Sequence, residues 1–170
     1  QLAGYYGHDK EIIIPEGVII IGLDIFKSMG IEKVTFPKSL KMIDSTAFAN
    51  NCLKEVHFKS PVTISLDSFA NNKIEKVTGT IKDLDTTSFS NNPILKNELV
   101  IIGQRLIAYN GNAKQVVIPE GVEIIAYRAF KSKGIESVSF PKSLQEIEAN
   151  AFDNNNLTQL NFNSHVIISS

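Results

Sequence analysis

The sequence predicts a β-rich solenoid, a stack of short and similar turns with few helical pieces. Three observations lead there. A phenylalanine returns about every 20–22 residues, at Phe26, Phe48, Phe69, Phe89, Phe130 and Phe152, with one gap of about two periods between Phe89 and Phe130. The segment I-E-K-V-T-F-P-K-S-L-K-M-I-D-S-T-A-F-A-N-N at 31–51 comes back as I-E-S-V-S-F-P-K-S-L-Q-E-I-E-A-N-A-F-D-N-N at 135–155, with weaker copies starting at Leu53 and Ile74. No stretch carries helical periodicity for long enough to make a substantial α-helix.

Each element of one repeat follows from its residues. Ile31 turns the corner, and Val34 and Phe36 alternate with Lys33 and Thr35, the pattern of a short half-buried strand. Pro37 ends that strand because it has no N–H to give to a ladder. Leu40 and Ile43 point back inward from a second extended segment. Ala47-Phe48 plugs the following turn, and Asn50-Asn51 supplies turn geometry and side-chain bonds to loose backbone groups. Ile31, Val34, Phe36, Leu40, Ile43 and Phe48 are too few to hold one repeat together alone, so repeats must stack and cover each other's apolar flanks. The expected columns are Val34, Val56, Val77, Val138 and Leu160; Phe36, Phe58, Phe140 and Phe162, with Gly79 as a gap; and Ile21, Ile43, Ile64, Leu84, Ile125 and Ile147. Lys33, Glu55 and Lys76 fall on consecutive parallel strands with alternating sign, a pattern that a plain solvated face explains.

A longer period lies above the first. Pro15 matches Pro119, and 119 − 15 = 104; at that offset I-P-E-G-V at 14–18 meets I-P-E-G-V at 118–122, and F-P-K-S-L at 36–40 meets F-P-K-S-L at 140–144. The chain 1–170 therefore reads as one solenoid with repeats near 12–30, 31–52, 53–73, 74–93, 116–134, 135–156 and 157–170. An insertion at about 94–115 breaks the rhythm. There Glu98–Ile102 and Arg105–Tyr109 flank Gly103-Gln104, a hairpin signal, and Asn110-Gly111-Asn112 marks a second turn. Leu2–Tyr6 corresponds only to the second arm of that hairpin, and the last repeat stops at Ser170, so both ends are expected to be cuts inside a longer array. In repeat 74–93, Thr78-Gly79-Thr80 stands where an apolar residue and proline belong, and a local irregularity is expected.

Composition narrows the function classes. Apolar residues make up 43% of the chain, enough for a core. Lys and Arg number 17 against 18 Asp and Glu, which argues against a nucleic-acid binder and gives no polybasic membrane contact. No apolar run reaches the ~20 residues of a membrane helix. Cys52 is the only cysteine, so no internal disulfide forms, and the first residues do not read as a signal peptide.

The usual chemistries leave little trace. His8, His57 and His165 lie far apart, with no metal-ligand spacing, so neither a metal nor a cofactor is expected. There is no nucleophile elbow and no phosphate loop, and Gly4, Gly7 and Gly111 read as turn glycines. Glu32, Glu75 and Glu136 recur at one repeat position, which points to structure or solubility and not to a unique catalytic acid. The chain is not expected to be an enzyme, because repeated positions do not easily build one asymmetric site. Tyr5, Tyr6 and Tyr109 lie in or beside the hairpin and serve either as packing groups or as binding anchors. The exposed strand surface, the default contact area of a solenoid, comprises Lys33, Thr35, Glu55, His57, Lys76, Thr78, Ser137, Ser139, Gln159 and Asn161.

The pattern L/I-x-x-V-x-F-P-x-S-L-x-x-I-x-x-x-A-F-x-x-N resembles the BspA-like, or Treponema-type, leucine-rich repeats over nearly the whole chain. The L-I-A-Y-N-G segment at 106–111 is similar to interruptions in such proteins. The frequent cysteine after A-F is replaced here by Asn51, Asn72, Asn92 and Asn155. The resemblance implies a right-handed leucine-rich-repeat solenoid, a superhelix or horseshoe with a parallel sheet along one face. It also implies a secreted bacterial cell-surface protein, its signal and anchor outside this fragment. The implied role is non-catalytic adhesion, with an extracellular protein or glycan as partner and no nucleic acid or membrane insertion. A monomer is expected. The alternative role is a structural spacer or stalk that presents another domain.

Overall fold

The computed structural model describes residues 1–2, 4–162 and 165–169. Parts of the last expected repeat, residues 163–164 and 170, therefore lie outside the described residues. The chain divides into two compact units, Gln1–Lys96 and Asn97–Ser170. Each is a stack of parallel-strand solenoid turns, and the one helical piece among the described residues is a 3-10 turn at Pro93–Lys96.

In the first unit every turn contributes two short strands. They are β1 (Glu11–Ile13) and β2 (Ile20–Ile21), β3 (Lys33–Thr35) and β4 (Met42–Ile43), β5 (Glu55–His57) and β6 (Val62–Ile64), then β7 (Lys76–Thr78) and β8 (Ile81–Leu84). The second strand of each turn pairs in parallel with the next turn's, in the order β2-β4-β6-β8. Its register places Ile21 on Ile43, Ile43 on Ile64, and Ile64 on Leu84, the column expected from the sequence. The first strands pair only two by two, β1 with β3 and β5 with β7.

The second unit holds β9 (Leu99–Ile102), β10 (Arg105–Tyr109), β11 (Gln115–Val117), β12 (Ile124–Ile125), β13 (Ser137–Ser139), β14 (Glu146–Ile147) and β15 (Ile167–Ile168). β9 and β10 form the antiparallel hairpin around Gly103-Gln104, and β10 continues in parallel into β12, β14 and β15. The duplication is visible at atomic level. Leu2 bridges Ile21 as Leu106 pairs with Ile125, each partner 104 residues apart. Tyr5 lies 5.1 Å from Phe26 and Tyr109 lies 5.2 Å from Phe130, so both tyrosines pack against the stack. Burial pushes the Tyr109 hydroxyl above the usual phenol range. Tyr6, by contrast, stands 96% exposed.

Two columns of rings form the interior. Phe26, Phe48, Phe69 and Phe89 stack face to face at 4.9, 5.4 and 5.2 Å. Phe36 and Phe58 stack beside them and meet the first column edge-on. Small residues precede the phenylalanines except Phe26, which follows Ile25, and the backbones of neighbouring turns are joined there: the Phe48 N–H donates to the Ser68 carbonyl at 2.8 Å and the Phe69 N–H to the Ser88 carbonyl at 2.8 Å. Where that small residue is serine, its hydroxyl is bonded as well, Ser68 Oγ donating to the Ser65 carbonyl.

The Asn-Asn pairs divide two tasks. The first residue, Asn50, Asn71 or Asn91, adopts positive φ, a conformation asparagine tolerates. The second is buried and acts as a two-sided clamp. Asn51 Oδ1 accepts from the Met29 and Ile31 N–H groups at 3.1 and 2.9 Å. Its Nδ2 donates to the Phe26 and Phe48 carbonyls at 2.7 and 3.0 Å. Asn72, Asn92 and Asn155 repeat the arrangement.

The expected irregularity falls at Gly79. Its φ is +95°, and a Cβ there would sit 2.1 Å from the Phe58 carbonyl oxygen. Backbone takes the place that a phenylalanine ring fills in the turns before it, and a register shift between β6 and β8 absorbs the mismatch. Gly79→Ala combines a strained φ with a clash against backbone, and should cost about 2–4 kcal/mol in urea denaturation. A melt like that of the parent would mean that this turn moves aside freely.

Three expectations about the columns and the strand face need correction. Leu84 and Val138 are only partly buried, and Leu160 is 39% exposed. Gln159 and Asn161 are exposed but belong to no strand, and Gln159 Nε2 donates to Asn161 Oδ1 at 2.8 Å. Lys33 and Glu55 are not ladder neighbours, since β3 and β5 do not pair. The two missing strand pairings share a sequence feature. The ladder forms where Ile14 lies under Phe36, where Gly79 follows Phe58, and where Ile118 lies under Phe140. It is missing at the two places where phenylalanine stands on phenylalanine, Phe36 on Phe58 at 5.3 Å and Phe140 on Phe162 at 4.9 Å. At both places one aromatic ring stacks on another, where the paired strands have an aliphatic residue or glycine as one partner.

Candidate functional site

The strand face of the first unit carries the most concentrated chemistry. Alternation along each strand buries Val34, Val56 and Val77 and turns their neighbours outward. The break between β3 and β5 opens this face into a cavity of about 590 Å³. Six of the ten residues expected on the exposed surface line it together: Lys33 and Thr35, Glu55 and His57, Lys76 and Thr78. Its floor is apolar, formed by Val34, Val56 and Phe36. Three residues that the sequence reading missed, Glu32, Lys54 and Lys59, complete the rim. They sit just outside the strands, so strand alternation could not single them out.

The polar groups of the cavity are unevenly satisfied. Lys10 Nζ reaches Glu32 at 2.7 Å, and this hydrogen bond, with the charge of Lys10, holds the Glu32 carboxyl below its usual range. Lys33 lies 3.6 Å from Glu11, and His57 Nδ1 is 2.8 Å from Thr78 Oγ1. Glu55 and Lys76 are Cα partners in the ladder. Among the described residues, Lys54, Lys59 and Lys76 form no ion pair within salt-bridge distance.

The other four expected residues lie in the second unit. Ser137 and Ser139 are exposed on β13, and Gln159 and Asn161 follow in the unpaired segment. That unit's polar feature is the part-buried pair of Arg105 and Glu148, whose second carboxylate oxygen accepts from the Tyr127 N–H at 2.8 Å. Among the described residues, no group of three His, Cys, Asp or Glu side chains is placed to hold a metal ion. No helix among them is long and apolar enough to cross a membrane.

Stacked parallel turns, phenylalanine columns and a polar strand face define a leucine-rich-repeat solenoid, a repeat module for interaction with other proteins. The chain belongs to the BspA type leucine-rich repeat family, whose sequence profile matches residues 7–96 and 100–170 in 6 copies. A crystal structure of a leucine-rich repeat protein from Bacteroides ovatus is similar over 94% of this chain, at 19% identity and a TM-score of 0.34. The match covers 45% of that protein, so this chain spans less than half its length. No curated protein matches the chain.

Proposed function

We propose that this chain is a non-catalytic adhesion module of a bacterial cell-surface protein, and that it contacts an extracellular protein through the strand face of its first unit. The observation that carries this reading is the break between β3 and β5. It turns a flat sheet face into a cavity with an apolar floor and a charged rim. Family membership supports the surface location and the absence of catalysis. The test is to screen the purified protein against extracellular-matrix proteins, glycans and bacterial surface components, then repeat the screen with His57 and Lys76 both replaced by alanine. A ligand that binds the parent and is lost on the variant is the expected result. Binding indifferent to these substitutions would remove the strand face from the reading. The neutral, small-residue face of the second unit, with Ser137 and Ser139, favours the spacer role for that unit, and failure to bind any component would extend it to the whole chain.

A further inference from the structure

The duplication provides an internal comparison for the cavity. At the offset of 104, the core segments are nearly unchanged, and I-P-E-G-V and F-P-K-S-L occur in both blocks. Of the cavity rim, Glu32 recurs as Glu136, paired with Lys114 as Glu32 is with Lys10, but five other positions differ. Lys33 corresponds to Ser137, Lys54 to Thr158, Glu55 to Gln159, His57 to Asn161 and Lys59 to Asn163. Each ionisable group at these five positions has a neutral polar counterpart, so these charges are not part of what the two blocks share. No packing need common to both blocks accounts for them.

The balance of those charges has a sign. Lys33, Lys54, Lys59 and Lys76 face Glu32 and Glu55 around the cavity, a surplus of two positive charges (4 − 2) in a chain whose net charge is −1. Glu32 is already engaged by Lys10, and Lys33 by Glu11. Glu55 stands beside Lys76 in the ladder and the charge of Lys54 also acts on Glu32, so the net positive potential is shared among Lys54, Lys59 and Lys76, none of which is in an ion pair among the described residues. They surround buried Val34, Val56 and Phe36, with the Thr35 and Thr78 hydroxyls between.

Resting on the interaction role proposed above, we infer that this cavity binds an extended acidic peptide segment of a partner protein, with an aliphatic side chain on the floor and flanking carboxylates on Lys54, Lys59 and Lys76. A sulfated glycan would meet the lysines but has no apolar group for the floor. No exposed aromatic ring lines the cavity for a sugar to stack on, and no arginine lines it for bidentate sulfate binding. Complementary charge at the rim also sets a clear salt dependence, because exposed ion pairs are screened within about 10 Å at 0.1 M salt.

The test uses a fluorescein-labelled peptide, Glu-Glu-Leu-Glu-Glu-Leu-Glu-Glu, followed by fluorescence polarisation against the full chain. The probe should bind at low ionic strength and weaken as salt rises. The variant Lys54→Thr/Lys59→Asn/Lys76→Thr, which uses the second block's residues at the first two positions, should bind roughly tenfold or more weakly while keeping the parent's melting curve. The control Lys38→Ser/Lys41→Ser/Lys82→Ser removes the same charge from exposed positions outside the cavity and should bind like the parent. A silent probe, equal loss in both variants, or a heparin fragment that binds more tightly than the peptide would each overturn the inference. A silent probe alongside a surface ligand still sensitive to His57 and Lys76 would leave the wider interaction role standing.

Discussion

Phe48→Ala is expected to destabilise the first unit by about 3–5 kcal/mol, read as a lower urea midpoint in circular dichroism. Phe48 is fully buried, and its ring is held on three sides. Phe26 lies at 4.9 Å and Phe69 at 5.4 Å, both nearly parallel to it, while Phe36 meets it at 5.5 Å with an interplanar angle of 88°. Removing the ring opens a cavity in mid-column and ends two stacked contacts and one edge contact together, each worth ~0.5–1.5 kcal/mol beyond area burial. The backbone cannot close the gap easily, because the Phe48 N–H is tied to Ser68 and each turn is tied to the next in the same way. Lys33→Ala is the matching control on the outward face. It loses only an exposed pair with Glu11 and should cost well under ~1 kcal/mol. Similar losses from both substitutions would show that the inward and outward faces are wrongly assigned.

Asn51→Leu is expected to cost about as much, roughly 3–5 kcal/mol, although leucine has the same branched arrangement of heavy atoms. The loss is chiefly in hydrogen bonds, with the bulkier methyl groups adding crowding. Without the carboxamide, the Met29 and Ile31 N–H groups and the Phe26 carbonyl lose their partner, and Phe48 loses one of the two side-chain amides that reach its carbonyl. Orphaned buried backbone groups cost ~1–3 kcal/mol each. Asn51→Asp separates the two halves of the clamp. A carboxylate still accepts from the two N–H groups but places negative charge against the Phe26 and Phe48 carbonyl oxygens. Burial and those oxygens raise its folded-state pKa above the unfolded value of ~3.9. The protonated acid is therefore the form that fits. Stability of this variant relative to the parent should be highest below that unfolded pKa and fall as pH rises through the folded one. A deficit independent of pH would mean that the side chain has swung out of the core.

These two sites were plain in the sequence because they recur with the period of the turn. Phe48 occupies a position that is phenylalanine in each copy and Asn51 one that is asparagine in four of six, and an inward position that neighbours must match leaves such a trace. Gly79 was legible as a departure, since a missing apolar residue and a missing proline together signal that the backbone takes another path. The break between β3 and β5 was not read, although a mark that coincides with it stands in the chain. Phe36 and Phe58 look like one more matched column, and only their size, compared with Ile14 and Ile118 under the paired strands, distinguishes them. Lys54 and Lys59 were missed for a different reason. They flank β5 and have no alternation to report them; only the neutral Thr158 and Asn163 at the same places in the second block set them apart. Leu160 had the right spacing for a buried column, but spacing does not bury a residue when no ladder holds its segment down.

The asparagine clamp has a consequence for how such a chain can change in length. Each clamp bonds its own turn and the one before it, with partners up to 25 residues away and none beyond. A coding segment of one period, gained or lost by unequal recombination at F-P-K-S-L or at A-F, would rejoin equivalent partners on both sides. The number of turns is thus free to drift between strains or generations without any compensating substitution. The turn at 74–93 is the exception: its backbone is fitted to Phe58 through Gly79, so it has to travel together with the turn that precedes it.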